Sequence, residues 1–152
     1  MDLRAILKAL KFDIMVKPQL KDAGAFANNT YFDTAGLAAI LVLFILGDTD
    51  IAAGSDDTST PLKLEECDTT GGTYTAVTSA ALATVLGAGD DSTMRAIFVD
   101  LAKSHKRYIQ VDDPTAGDGT AGVNMCVLAI GFPSEVMPRT AAEMGLAELV
   151  EA

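Results

Sequence analysis

The first ten residues have the spacing of a short amphipathic helix. Its apolar positions, at i, i+3, i+4 and i+7, are Leu3, Ile6, Leu7 and Leu10. Asp2 precedes them as an N-cap, and Lys8 and Lys11 lie on the other side of the helix. The pattern leaves two interpretations open: the helix packs on its own domain, or it is an arm that docks on a partner.

Beyond Gly24 the pattern changes to short β-type runs separated by Gly, Asp and Pro. The predicted strands are 25–34, 38–46, 62–67, 74–77, 94–101, 108–111 and 123–130. About seven or eight short strands without long helices predict an all-β protein, an antiparallel β-sandwich or jelly roll with short N- and C-terminal helical arms. We expect one hairpin through Gly71-Gly72, and a second that joins 94–101 to 108–111.

The run 38–46 is apolar throughout and does not alternate. A strand of this kind must be covered on both faces, which predicts that it lies in a subunit interface or beneath the N-terminal helix. A buried helix is the alternative interpretation, because periodicity does not distinguish the two for a short apolar run.

These patterns divide the chain into three parts. Residues 1–21 form an N-terminal arm, since Pro18 and the stretch 21–24 indicate a linker or first loop. Residues 22–134 form the sandwich. Residues 135–152 form a tail with a short helix, in which Thr140 and Glu143 have the spacing of a capping box.

Composition narrows the class of protein. The 152 residues are 49% hydrophobic and 21% charged, which predicts a folded chain with more apolar surface than a monomer of this size buries. The net charge of −10 argues against a nucleic-acid partner. Residues 1–21 carry a net +3 and the remainder −13, so a basic arm precedes an acidic body.

No segment has the features of a membrane span or a signal peptide. The longest uncharged apolar run, 35–47, has thirteen residues, whereas a spanning helix needs about 20. Charges at Asp2, Arg4 and Lys8 interrupt the N-terminus, and no cleavage site follows. We therefore expect a chain made in the cytoplasm, without a membrane partner.

The sequence offers no chemical site. His105 is the only histidine and has no carboxylate within its own turn, so we predict no catalytic residues and no enzyme. Cys67, Cys126 and His105 lack the close spacing of zinc ligands, and no loop matches a calcium motif. We therefore predict neither a metal nor a cofactor, and two reduced cysteines.

Several segments together are similar to those of a known family. They are Phe32-Asp33-Thr34, Gly47 to Ile51, Leu62 to Asp68, Phe98 to Leu101, Lys106 to Tyr108, Thr115 to Thr120 and Pro138 to Glu143. This succession resembles the capsid decoration (cement) proteins encoded beside the major capsid gene in tailed phages. The resemblance implies a β-sandwich or jelly roll that sits as a dimer or trimer on the outer capsid surface, with the major capsid protein and its own copies as partners.

The expected function is therefore that of a virion structural protein that stabilises the assembled capsid. The candidate contact residues are the helix positions Leu3, Arg4, Ile6, Leu7, Lys8, Leu10 and Lys11, and the basic turn Lys103, His105, Lys106 and Arg107. A tail or head–tail connector component is one alternative. A carbohydrate-binding sandwich is another, although the chain has no Trp and three Tyr.

Overall fold

The chain forms two four-stranded antiparallel sheets that pack face to face, in a computed structural model that describes residues 3–21, 26, 29–49, 61–112 and 122–134. Side chains are described for all of these except residues 3–5 and 88. The elements are α1 (Leu3–Ala9), β1 (Lys11–Lys21), β2 (Phe32–Asp33), β3 (Leu37–Thr49), β4 (Lys63–Cys67), β5 (Thr75–Ala81), a 3-10 turn (Ala88–Asp90), β6 (Met94–Asp100), β7 (Tyr108–Val111) and β8 (Val123–Pro133). The predicted all-β sandwich is confirmed.

The strand order is β1-β8-β3-β6 in the first sheet and β2-β7-β4-β5 in the second. Each strand of the first half of the chain pairs with its counterpart in the second half: β1 with β8, β2 with β7, β3 with β6, and β4 with β5. Two further ladders, β3 with β8 and β4 with β7, complete the sheets. The sandwich is thus held together mainly by pairings between segments far apart in sequence.

Alternation along the strands builds the core. On β3 the inward side chains Ile40, Val42 and Phe44 are fully buried, and Val127 and Ala129 of β8 lie beside them. The second sheet contributes its own inward side chains, which are Phe32, Leu64, Val77, Ala80, Ile109 and Val111. A period of two places the residues of β3, β8 and β7 on one face. On β5 the buried Val77 and Ala80 are three residues apart, and Ser79 between them has a left-handed conformation.

Two sequence predictions are wrong in detail. Residues 11–21 belong to the sandwich as strand β1, paired with β8, instead of to an arm outside it. The ladder of β1 is irregular between Ile14 and Gln19, which disrupts the alternation that marks a strand. The predicted C-terminal helix lies outside the described residues.

The second wrong prediction is the hairpin between 94–101 and 108–111. Strand β6 pairs with β3 in the first sheet, and β7 pairs with β2 and β4 in the second. The segment between them therefore crosses from one sheet to the other. Its start is tied to the first sheet by the Leu101 N–H, which donates to the Ala38 carbonyl at 2.9 Å. The hairpin of β4 with β5 is present as predicted.

One lateral side of the sandwich is closed and the opposite side is open. On the closed side, the Thr30 N–H donates to the Met15 carbonyl at 2.8 Å, and Asn29 Nδ2 donates to the Val111 carbonyl at 2.7 Å. Lys11 Nζ donates to the Asp33 carbonyl at 2.7 Å and lies 4.6 Å from the ring centroid of Phe32. These contacts connect β1 to the second sheet, whereas a cleft of 490 Å³ separates β5 from β6.

Gly131 of β8 is a position where the core has no room for a side chain. A Cβ there would lie 2.6 Å from Leu37 Cδ1 and 3.1 Å from Cζ of the fully buried Phe32. We expect Gly131→Ala to lower the free energy of unfolding by about 1–2 kcal/mol, because overpacking forces these side chains to shift. Urea denaturation measures this change.

Gly71→Ala is the matched control, since no atom lies within 4 Å of the added Cβ and the φ angle of Gly71 is not positive. Its effect should stay within about 0.5 kcal/mol. Equal stability of the two variants would contradict the tight packing at Gly131.

Candidate functional site

The predicted contact face of helix α1 lies partly in the interior of the protein and partly in solvent. Leu10, just after the helix, is buried, and Ile6 is half-buried. Leu7 is 51% exposed. The side chains of Leu3 and Arg4 lie outside those described. Part of the amphipathic face therefore packs on its own chain, and Leu7 remains as an apolar side chain turned to solvent.

Two of the predicted basic contact residues at the N-terminal end do not extend from the domain as those of a docking arm would. Lys11 is the first residue of β1 and contacts the second sheet through Asp33 and Phe32. Lys8 is half-buried in the last turn of α1. The sequence could not predict the role of Lys11, because its partners are 21 and 22 residues away along the chain.

The basic turn is anchored on the second sheet. Arg107 makes a bidentate ion pair with Asp33, with Nε 2.9 Å from Oδ1 and Nη2 2.8 Å from Oδ2. The Thr34 N–H and hydroxyl both donate to the Arg107 carbonyl. His105 Nδ1 lies 3.0 Å from Glu66 Oε2, which also accepts the Lys106 N–H.

Lys106 completes the anchoring, because its Nζ donates to the Thr75 hydroxyl at 2.9 Å. Lys103 is exposed at the start of the turn. Of the four predicted contact residues here, three therefore stabilise the crossing between the sheets. Their acidic partners, Asp33 and Glu66, were not recognised from the sequence because they lie on β2 and β4.

The outer surface of the second sheet is polar and charged. It carries Asp33, Lys63, Glu65, Tyr108 and Gln110. Lys63 Nζ lies 2.9 Å from Asp112 Oδ2, an ion pair that raises the pKa of Lys63. Burial raises the pKa of Glu65, to which Gln110 Nε2 donates at 3.3 Å. This face is typical of a sheet surface in contact with water.

The central part of the outer surface of the first sheet is apolar across all four strands, and Asp100 of β6 and Asn124 of β8 lie on the same surface at its ends. We define the apolar face as Phe12 and Ile14 on β1, Cys126, Leu128 and Ile130 on β8, Leu41, Leu43 and Ile45 on β3, and Met94, Ala96 and Phe98 on β6. The register aligns them in rows, so that Leu43 lies between Leu128 and Ala96. None of these eleven side chains is charged.

The apolar face was visible in the sequence only in part. The run 38–46 predicted cover on both sides of one strand, and residues 125–130 of β8 are equally apolar. The strands β1 and β6 form the margins of the apolar face, and charged residues within them interrupt the apolar pattern of the sequence. Pairing through β3 and β8 is what assembles the four strands into one surface.

The cleft between β5 and β6 contains polar groups. Its lining includes Glu66, Ser79, Phe98, Lys103 and His105. Ser79 has a φ of 62°, a left-handed conformation at the edge of the second sheet. His105 Nδ1 faces Glu66, and no described serine hydroxyl is hydrogen-bonded to the imidazole, so the residues do not form a nucleophile–base pair.

Other chemical features of the described residues are few. Cys67 and Cys126 are free thiols, and burial raises the pKa of Cys126. No group of three or more His, Cys, Asp or Glu in this part of the chain is placed to hold a metal ion. Among the same residues, no helix has the length and apolarity to cross a membrane.

Comparisons with protein-family models, with curated proteins and with solved structures give no match. The functional interpretation therefore depends on the two outer faces and on helix α1.

The ion pair of Asp33 with Arg107 makes stability depend on pH. The Arg107 guanidinium holds the pKa of Asp33 at about 2, below its usual value of 3.8. Because the folded-state pKa is the lower one, the stabilisation is present above about pH 4 and is lost as the pH falls through about 2. We expect Arg107→Gln to raise the pKa of Asp33 towards 3.8, as measured from its carboxyl chemical shift by NMR.

Arg95→Gln is the control, since Arg95 lies on β6 of the first sheet and pairs with Asp90 of the 3-10 turn. It should leave the titration of Asp33 unchanged. Titration of Asp33 near 3.8 in the unmodified protein would contradict the ion pair.

Proposed function

We propose that the protein is a structural component of a tailed-phage virion, a decoration protein that binds the outer surface of the assembled capsid. The observation that carries the proposal is the apolar face of an acidic sandwich, which indicates a protein that works in an assembly with other chains, although the capsid itself would bind at a different surface. A contiguous apolar surface of this kind is typical of a protein whose task is contact with other proteins.

The strand pairing supports the proposal at the level of the fold. We interpret the pairing of β1 with β8, β2 with β7, β3 with β6 and β4 with β5 as that of a jelly roll, a long antiparallel hairpin rolled into two sheets. Jelly rolls occur in viral capsid domains and in lectins. Because folds of this kind serve several functions, the argument from the fold is an analogy, and the surfaces carry the rest.

The mechanism would be additive stabilisation. A protein that binds the assembled lattice and not the separate subunits stabilises the lattice by its binding free energy. Many copies on one shell, each bridging neighbouring subunits, multiply this effect. Such a role needs surface complementarity and no catalytic groups.

We assign the capsid contact to the N-terminal end. Leu7 is turned to solvent on α1. Exposed Lys103 is a second candidate contact, because the other basic residues of its turn bind within the chain. Attraction between this lysine and an acidic capsid surface would steer the encounter.

Carbohydrate binding is a second candidate function, favoured by the clustering of all three tyrosines. The rings of Tyr31 and Tyr108 lie 5.1 Å apart at 77°, and both contribute to the raised pKa of Tyr74, whose main cause is burial. Tyr31 is 43% exposed, so an aromatic surface faces solvent on the second sheet. Chemical-shift changes of Tyr31 on titration with oligosaccharides would favour this function.

The capsid proposal is tested by binding to purified capsids of the phage that encodes the chain. The unmodified protein should co-sediment with assembled shells and not with unassembled capsid subunits, and cryo-electron microscopy should show it on the outer surface. We expect Leu7→Glu to reduce occupancy at least about tenfold, because an ionised side chain would be buried in an apolar contact.

Ala81→Glu is the control, since Ala81 is exposed on β5 of the second sheet, so the variant adds a carboxylate to the surface away from the first sheet. It should bind as the unmodified protein does. Density at the tail or at the neck of the particle would indicate a connector component instead, and equal occupancy of both variants would exclude α1 as the contact.

A further inference from the structure

We propose that a second copy of this chain covers the apolar face, so that the protein is a two-fold dimer whose first sheets pack against each other. The inference deepens the proposed function by naming the partner that occupies this surface. It follows from the extent of the face, from its chemistry and from the shape of one of its rows.

The extent of the face requires a broad occupant. Neighbouring strands lie about 4.8 Å apart, so the four strands span about 14 Å between their outer axes. The most exposed apolar side chains lie at both margins: Met94 is 67% and Phe98 63% exposed on β6, and Ile14 is 50% exposed on β1. A single helix, about 10 Å across, covers two strands and leaves one margin in water. A sheet covers both.

The chemistry of the face favours a copy of the same chain. Interfaces of permanent homodimers are the most apolar class, with charged residues depleted from their centre. The outward side chains at the centre of the sheet carry no charge, whereas the chain carries −10, and the outward charge of β6, Asp100, lies at the end of the strand. Two such chains repel each other in most orientations, and the uncharged face offers the approach at which repulsion is least.

The order of events in the proposed function also favours a second copy as the occupant of the apolar face. A decoration protein meets its lattice only after the shell has assembled. Until then, an uncovered apolar surface spanning a whole sheet would promote aggregation. A second copy is present from the moment of synthesis.

The middle row of the face is complementary to itself. The register aligns Ile14, Leu128, Leu43 and Ala96 across the sheet. At one end stands the protruding Ile14, and at the other is the small Ala96, exposed between the larger Met94 and Phe98. The row therefore has a projection at one margin and a depression at the other.

A two-fold axis parallel to the strands, between β8 and β3, brings the projection of each copy to the depression of the other. It places β6 of one copy over β1 of the other, so that Ile14 enters the depression at the partner's Ala96 and the reverse contact forms at the other margin. Sheets packed face to face lie about 10 Å apart with strands within about 30° of each other, which suits side chains of these sizes.

Sedimentation equilibrium of the full chain without capsids tests the proposal. The unmodified protein should have twice the mass of one chain. We expect Ala96→Glu to weaken the dimer at least about 100-fold, because the depression would then hold an unpaired carboxylate. Ala81→Glu is the matched control: Ala81 is also an exposed alanine, but it lies on the second sheet opposite Lys63, so this variant should remain dimeric.

Ile14→Glu gives the same test from the other margin, in case Ala96→Glu perturbs folding. Alkylation of Cys126 gives an independent readout, because this half-buried thiol lies on the apolar face, whereas Cys67 is buried within its own chain. In Ile14→Glu, alkylation of Cys126 should accelerate at least about tenfold relative to the unmodified dimer, while Cys67 stays unreactive.

A monomeric or trimeric unmodified protein would overturn the proposal, as would a dimer that both glutamate variants leave intact. These results are separate from those on the proposed function. A dimer that fails to bind capsids would refute the decoration function alone, and a monomer that binds capsids would refute the two-fold dimer alone.

Discussion

The antiparallel ladder between β3 and β8 is the interaction on which the rest of the structure depends. It forms the centre of the first sheet, and β1 and β6 attach to its two sides. A slip of one residue would exchange the faces of one strand relative to the other, and a slipped β3 would move Phe44 from the core to the outer surface. Because both faces of β3 and β8 are apolar, hydrophobicity specifies this register only weakly.

Steric fit supplies the missing specificity. Gly131 sits opposite Ile40, where Leu37 and Phe32 leave no room for another side chain, and the small Ala129 lies opposite Val42. In any shifted register, a larger side chain would take the place of Gly131 against Phe32. The inner face is therefore selected by the sizes of its residues, and the other apolar face is left outside.

The sequence predicted the elements better than their partners. Six strands, β3 to β8, follow from runs of apolar and β-branched residues bounded by Gly, Asp and Pro. Strand β1 was not predicted, because a proline such as Pro18 usually indicates the end of a strand. Strand β1 lies at the edge of its sheet, where proline is tolerated. The turn before β7 resembles that of a hairpin, and only the distant partners Asp33 and Glu66 show that it crosses between the sheets. Pairing between distant segments leaves no local signal.

Net charge and the apolar face act together in this molecule. On the second sheet, charged groups are engaged in pairs such as Arg107 with Asp33 and Lys63 with Asp112, so this face holds its charge within the chain. The excess of acidic residues gives the body a repulsive field that extends about 8 Å at physiological ionic strength. Contacts between acidic regions are opposed by this field, whereas contacts across the apolar face gain free energy from burial. The acidic charge and the apolar face therefore favour the same surface for the proposed association.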